Sequence, residues 1–277
     1  MRGAFYWTGL AFPGRTAIMG KKDARVAARM TGSFRRAGSR VGAARGGESG
    51  LNSPTESLAQ RRYARREELG LARSEFALLR RLSTPQKIQA FLNELPINHE
   101  PEGETLFSVH AVLRQRRALC IEGAFVAACA LWVHGEPPLV LHLECDVTDH
   151  DHVVALFRRR SRWGAISKTN GAVLRYRDPV YRTLRELALS YFHEYFNPRG
   201  YKTLRSYSGA FDLRRIDPEL WVTRESACRE ANDLLAGLRH YPLLSRGQAS
   251  LLTRRDPFER EAARLVQYPK PSLRRAD

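Results

Sequence analysis

The sequence predicts an α+β protein, with helices first, strands in the middle of the chain and helices again at the end. This order carries the prediction, because regular alternation of strands and helices would instead indicate a doubly wound α/β sheet. Composition agrees, since 43% of the 277 residues are apolar, enough to bury a core. No G-x-x-x-x-G-K-[ST], G-x-G-x-x-G or C-x-x-C motif occurs, so nothing indicates a nucleotide fold or a zinc ribbon.

Four helices are predicted before the strands. Apolar residues spaced near 3.6 predict the first, Thr84 is a good N-cap for the second, and Pro85 suits its first turn. Cys120 opens the fourth and most apolar helix, which Gly135 and the prolines after it stop. The helices are expected over 57–82, 85–95, 108–117 and 121–132.

Strands are predicted in the middle of the chain, where apolar and β-branched residues form short runs. Asn170 and Gly171 predict a tight turn joining two of them in a hairpin. The strands are expected over 139–145, 153–157, 163–168 and 172–176, with one more near 211–213. Later helices are expected over 182–196, 225–238 and 258–266.

Positive charge is concentrated at the start of the chain. The formal net charge is +17, and residues 1–73 contribute +10 of it. Glycines interrupt every apolar run there, so we expect 1–55 to be a basic, disordered tail. A folded α+β domain is expected over 56–240, and 241–277 is expected to form a helical extension and tail. The basic segment is an alternative nucleic-acid-binding element, although a solvated tail is the simpler interpretation.

The chain is expected to be cytoplasmic and not embedded in a membrane. No window approaches 18 consecutive apolar residues, the length typical of a membrane-spanning helix. The apolar run 3–12 is short for a secretory signal and lacks a clean cleavage site after it. The Arg-rich start also resembles a mitochondrial transit peptide, but only weakly.

Cys120 is a candidate nucleophile because of its place at the start of an apolar helix. The positive end of the helix dipole and the nearby Arg116 and Arg117 are expected to lower the pKa of its thiol. A structural role is the alternative, since most cysteines are small buried apolar residues. Cys129 lies deeper in the same helix and is expected to belong to the core.

His152 is the second candidate. It opens an apolar strand, which predicts a position at the rim of a sheet within reach of a neighbouring helix start. A polar stretch, Ser167-Lys168-Thr169-Asn170, follows the next strand and offers groups that could orient an imidazole. This order of Cys, His and a polar group is typical of thiol hydrolases with a catalytic triad.

At these residues the sequence resembles the transglutaminase-like branch of the papain-like cysteine hydrolases. The resemblance rests on residues 117–124, 151–157 and 163–167, and a weaker likeness to uncharacterised bacterial members extends over 84–214. It implies a nucleophilic Cys at the start of a central helix packed on an antiparallel sheet. It also implies a His on the second strand after that helix and an Asp on the next.

The chain departs from the family pattern at the third catalytic position. The family's Asp is expected near the end of the strand that begins at Trp163, where no carboxylate stands. Asn170 is therefore the first candidate to orient His152, as an amide does in papain-like enzymes, and Asp178 is the second. The resemblance implies an amide, peptide or thioester substrate and a hydrolase or acyltransferase. An inactive binding module is the alternative. No cofactor is expected, and no metal either, since calcium sites of larger transglutaminases have no visible counterpart.

Other interpretations of nearby residues stay open. His142, Cys145, His150 and His152 are of the types that bind zinc, but they lack a second half at a recognised spacing. Glu122 is expected to serve the first turn of its helix, with a role in the site as the alternative. Cys145 and Cys228 carry no signal, and Trp163 is expected in the core, with a substrate groove as the alternative. The arginine run 158–162 is expected at a solvated hairpin tip, or it attracts an acidic substrate.

Overall fold

The structure is a computed structural model that describes residues 63–100 and 103–270. The expected basic tail, 1–55, lies outside the described residues. The helices are α1 Arg66–Leu69, α2 Arg73–Arg81, α3 Pro85–Glu94, α4 Val109–Gln115, α5 Cys120–Val133, α6 Leu184–Phe192, α7 Arg229–Ala236, α8 Arg246–Ser250 and α9 Pro257–Ala262. The strands are β1 Leu139–Cys145, β2 His152–Arg159, β3 Arg162–Ile166, β4 Arg177–Tyr181, β5 Leu204–Ser208, β6 Phe211–Asp212 and β7 His240–Pro242.

The strands form one mixed-length sheet in the order β4-β3-β2-β1-β5-β7, and β6 also pairs with β1. Every pairing between these strands is antiparallel. In the register of β1 with β2, Leu143 lies opposite His152 and His142 lies opposite Val153. The segregated helices and the antiparallel sheet confirm the α+β class.

Helices cover both faces of the sheet. α5 packs on one face, and every residue from Ile121 to Val133 is buried, because apolar side chains lie on all sides of the helix apart from Glu122 in its first turn. Val153 and Ile166 belong to the core on that face. On the other face, Val154 and Leu156 belong to a second core together with residues of α6. Alternate residues of β2 therefore enter different cores, which decides the face from which each side chain acts.

Two predicted elements differ from the structure. The single helix predicted over 57–82 is wrong within the described residues, because Gly70, at φ 66°, separates α1 from α2. The predicted strand 172–176 is also wrong. The Asn170-Gly171 pair does not close a tight hairpin, and the chain runs through an irregular loop, with Leu174 at φ 59°, before β4 begins at Arg177.

The other predicted elements are present with shifted ends, whereas the strands β4, β5 and β7 and the short helix α8 were not predicted. In the described part of the chain, no helix combines the length and the apolar character that crossing a membrane requires.

Candidate active site

Cys120 is the first residue of α5, and its backbone is fixed by Glu122. The Glu122 carboxylate accepts a hydrogen bond from the Leu119 N–H at 2.6 Å, which satisfies a donor that the helix itself leaves unpaired. The expected role of Glu122 at the start of this helix is confirmed. The hydrogen bond between Leu119 and Glu122 therefore fixes the backbone conformation on both sides of Cys120.

Glu122 also holds the segment that runs beside this helix start. Its carboxylate accepts hydrogen bonds from the Phe107 N–H and the Thr105 hydroxyl, both at 2.8 Å, and from the Asn98 amide at 3.3 Å. The side chain is buried, and burial raises the pKa of Glu122 above its ordinary value. A carboxylate with this many donors is a rigid anchor for the loop before Cys120.

The start of α5 meets the start of β2, as the sequence predicts. The backbone N–H of Val153, the residue after His152, faces the Cys120 sulfur and favours its thiolate, although burial outweighs this effect on the pKa. The N–H of Ile121 also faces the sulfur. Cys120 is partly exposed, whereas Cys129, further along the same helix, is fully buried. Cys120 is therefore less deeply buried than Cys129, and backbone N–H groups face its sulfur.

His152 is hydrogen-bonded to Ser167. The His152 Nε2 atom lies 2.8 Å from the Ser167 hydroxyl oxygen, and that hydroxyl lies 2.5 Å from the carbonyl oxygen of Leu174. A carbonyl only accepts, so the single hydroxyl proton of Ser167 is donated to Leu174. Ser167 must then accept from His152, which assigns the ring proton to Nε2. The Nδ1 atom of the neutral ring is left with its lone pair, as a general base requires.

Ser167 is held by its backbone as well as by its hydroxyl. The amide of Gln89, on α3, donates to the Ser167 carbonyl at 2.8 Å and accepts from the Ser167 N–H at 2.9 Å. The Leu174 N–H donates to Glu194 at 2.7 Å, and Glu194 pairs with Arg177 at 2.6 Å. Gln89 and Ser167 are both buried, so this orientation of Ser167 is enforced from two sides.

Lys168 attaches the same loop to the end of α3. Its ammonium group donates to the carbonyls of Leu92, in the last turn of α3, and of Leu95, just after that helix, and the residue is 1% exposed. Burial lowers the pKa of Lys168 to about 8. A Cβ atom placed on Gly123 would lie 2.5 Å from the Lys168 Cβ, so glycine is needed there for the loop to approach the helix.

The structure does not bring Asn170 or Asp178 to His152. The Asn170 amide pairs with the backbone of Tyr268, through both its nitrogen and its oxygen, at 2.9 Å each. Asp178 is exposed on β4. The position that both were predicted to fill is occupied by Ser167, because the irregular loop after β3 turns Asn170 toward the C-terminal segment.

Ser167 is the partner of His152 in place of the predicted Asn170 or Asp178, and the alternation of side chains along the strands indicates this pairing. Ile166 enters the core beneath α5, so the following residue points to the other face of the sheet. His152 precedes Val153, which belongs to the same core as Ile166, and therefore also points to that other face. A count of alternation along both strands places His152 and Ser167 on one face.

The lowered thiol pKa expected from the helix start is wrong. Burial raises the pKa of Cys120 to about 11 and outweighs the backbone donors, and the nearby Glu122 charge acts in the same direction. Burial lowers the pKa of His152 to about 4, with further lowering by His142 and Arg177. At neutral pH the site holds a neutral thiol and a neutral imidazole rather than an ion pair.

The residues considered for zinc have other contacts. The Cys145 thiol donates to Asp151 at 3.2 Å, and the rings of His142 and His240 meet at 2.9 Å. Among residues 63–100 and 103–270, no three His, Cys, Asp or Glu side chains form a group that could hold a metal ion. Burial raises the pKa of the Cys145 thiol, and the nearby Asp151 carboxylate raises it further, so this thiol is a poor nucleophile.

Comparison of the chain with protein-family models and with curated proteins gives no match.

Proposed function

We propose that the protein is a thiol-nucleophile acyl-transfer enzyme, a hydrolase or acyltransferase that acts on an amide or thioester. The observation that carries the proposal is the hydrogen bond from His152 to Ser167, because it leaves Nδ1 of a buried ring unprotonated. Cys120 is the nucleophile and lies against the backbone of the residue after His152. Ser167 takes the orienting role that the resemblance gives to an Asp.

In the proposed mechanism, proton transfer accompanies attack rather than preceding it. Among the described residues no hydrogen bond joins the Cys120 sulfur to the His152 ring, which alternation places on the face of the sheet away from the core beneath α5, so the mechanism requires the two groups to meet at the rim of the sheet when substrate binds. His152 then accepts the thiol proton of Cys120 at Nδ1 while the sulfur forms a bond to the substrate carbonyl carbon. The N–H groups at the start of α5 stabilise the resulting oxyanion. The imidazolium then returns the proton to the departing amine or thiol as the carbon–heteroatom bond breaks, which leaves an acyl group on Cys120. Water or an amine attacks this thioester and regenerates the thiol.

A transglutaminase-like, papain-like fold is part of the proposal. Three features support it: a buried helix that begins at the nucleophile, an antiparallel sheet beneath it, and a His at the start of the second strand after the helix. The substitution of Ser167 for a carboxylate makes the imidazolium less stable than in a triad with Asp, so we expect slow turnover unless substrate binding excludes water from the site.

The test is acylation by a simple thioester, S-acetyl-N-acetylcysteamine, followed by intact mass and peptide mapping. The wild-type protein should gain one acetyl group, on Cys120, and Cys120→Ala should gain none. Cys129→Ala is the matched control, since this thiol is fully buried and should not affect the reaction. Addition of glycine methyl ester separates transfer from hydrolysis, because an acyltransferase would release the acetylated amine. Absence of an adduct on Cys120, or equal labelling of Cys145, would contradict the proposal.

A noncatalytic binding module is the second candidate, and the electrostatics favour it. No carboxylate is hydrogen-bonded to His152 in the described contacts, and burial disfavours both the thiolate of Cys120 and the imidazolium of His152. Such a site is typical of a protein that has the fold of an enzyme but binds a partner without catalysing a reaction. The thioester experiment separates the two candidates directly.

A further inference from the structure

The C-terminal strap, residues 265–270, runs past the loop that carries Ser167. Val266 forms an antiparallel bridge with Gly171, and the Gln267 N–H donates to the Asn170 carbonyl at 2.8 Å. The strap therefore pairs with this loop through its main chain, in the manner of an added strand.

The Asn170 side chain forms hydrogen bonds only with the main chain of the strap, so any residue in an extended segment could supply the partner groups. Its amide nitrogen donates to the Tyr268 carbonyl and its amide oxygen accepts from the Tyr268 N–H, each at 2.9 Å. These two bonds use one residue's carbonyl and N–H together, so they recognise an extended main chain and not a particular side chain.

The opposite side of the groove recognises side chains. The Asn93 carbonyl, at the end of α3, accepts from the Tyr268 hydroxyl at 2.7 Å and from the Gln267 amide at 2.8 Å. The Tyr268 ring lies 5.3 Å from the Lys168 ammonium nitrogen, a distance suited to a cation–π contact. The groove thus combines backbone pairing on one side with a place for an aromatic hydroxyl on the other.

The strap contributes little to the core. Leu265 is 68% exposed and Val266 is 42% exposed. The preceding helices α8 and α9 contain no buried residue. A segment held mainly by polar contacts at the surface opens at a free energy below that of global unfolding.

We propose that the groove between Asn93 and Asn170 is a peptide-binding site that the strap occupies from within the same chain. It takes an extended polypeptide segment with a Tyr side chain placed as Tyr268 is. The proposal goes beyond the proposed acyl transfer and holds whether or not Cys120 is catalytic. A tethered ligand has an effective concentration of about 1 mM, so a free peptide competes weakly until the strap is displaced.

The test uses the full chain and a fluorescein-labelled peptide with the sequence of residues 263–270. The double variant Gln267→Ala, Tyr268→Ala weakens the strap and should bind the peptide at least tenfold more tightly than the wild type does. Adding Asn170→Ala should weaken peptide binding to the double variant at least tenfold. Adding Asn232→Ala, an amide on α7 that contacts only its neighbour Asp233 in the described hydrogen bonds, should leave it unchanged.

Two outcomes would overturn the proposal: no peptide binding by a double variant that retains the wild-type circular dichroism spectrum, or equal binding after Asn170→Ala. Should the double variant fail to fold, hydrogen exchange of the wild type decides. The amides of Gln267 and Tyr268 should exchange well before the amides of α5. Exchange of both only with global unfolding would show that the strap cannot be displaced, and the proposal would fail.

Discussion

The Nε2 atom of His152 lies 2.8 Å from the hydroxyl oxygen of Ser167, where the sequence resemblance to transglutaminase-like enzymes predicts a carboxylate. A hydroxyl can fix the tautomer and direction of the ring, but it cannot stabilise the charge of an imidazolium as a carboxylate does. The geometry therefore suits the neutral base of the proposed mechanism.

Replacing Ser167 with Asp should raise the pKa of His152 from about 4 toward its ordinary value, because a neighbouring carboxylate favours the imidazolium. The measurement is a histidine NMR titration between pH 3 and 8. Ser167→Asn is the control, since an amide of nearly the same size carries no charge and should shift the midpoint little. Identical midpoints for the Asp and Asn variants would show that residue 167 does not face the ring.

Alkylation of Cys120 by iodoacetamide should accelerate about tenfold per pH unit between pH 7 and 10, because the thiolate is the reactive form and the thiol pKa lies at about 11. The rate is followed by peptide mapping, with Cys120→Ser as the blank. A rate that levels off below pH 8 would indicate a preformed thiolate and would contradict the neutral pair.

Stability should fall as the pH decreases from 6.5 to 4. The pKa of His152 is lowered from 6.5 to about 4 in the folded state, so the unfolded chain binds a proton in this window that the folded chain does not. The loss attributable to His152 is on the order of 3 kcal/mol as an upper bound.

The check for this acid effect is urea unfolding at several pH values for the wild type and His152→Gln. The Gln amide can still donate to Ser167 but does not titrate, so the variant should lose less stability across the window. Parallel pH curves for the two proteins would mean that the folded state does not hold His152 neutral.

Gly123→Ala should destabilise the fold by about 1–3 kcal/mol despite the better helix propensity of alanine. The new Cβ would lie 2.5 Å from the Lys168 Cβ, an atom close to the backbone that cannot move aside without shifting the loop. Gly209→Ala is the matched control, because an added Cβ there meets no atom within 4 Å. Thermal unfolding distinguishes them, and equal midpoints would argue against the close approach of loop and helix.

Much of the fold could be predicted from local pattern. The apolar run after Cys120 predicted the buried helix α5, and the alternation over 139–145 predicted the strand β1. Each pattern is typical of one kind of secondary structure, so local sequence was enough. The hairpin at Asn170 failed because that turn signal is local, whereas the strap that binds Asn170 is 98 residues away in the sequence. Short strands such as β7 carry too few residues to show a period.

Part of the site was also predictable from local sequence pattern. Cys120 and His152 open their elements, so local pattern found them. Ser167 required the registers of two strands at once, and the raised thiol pKa required knowledge of burial, which depends on the packed structure. Helix dipole arguments alone predicted the opposite direction for that pKa.

The most direct test of the central claim is the rate at which p-nitrophenyl acetate acylates Cys120 in Ser167→Ala, compared with Ser250→Ala. Ser250 is the matched control, since its hydroxyl donates to the Gly247 carbonyl within α8. We predict that Ser167→Ala slows acylation at least tenfold at pH 7.5 while Ser250→Ala matches the wild type. Equal rates in all three proteins, measured on samples that unfold at similar temperatures, would contradict a nucleophile that depends on His152 oriented by Ser167.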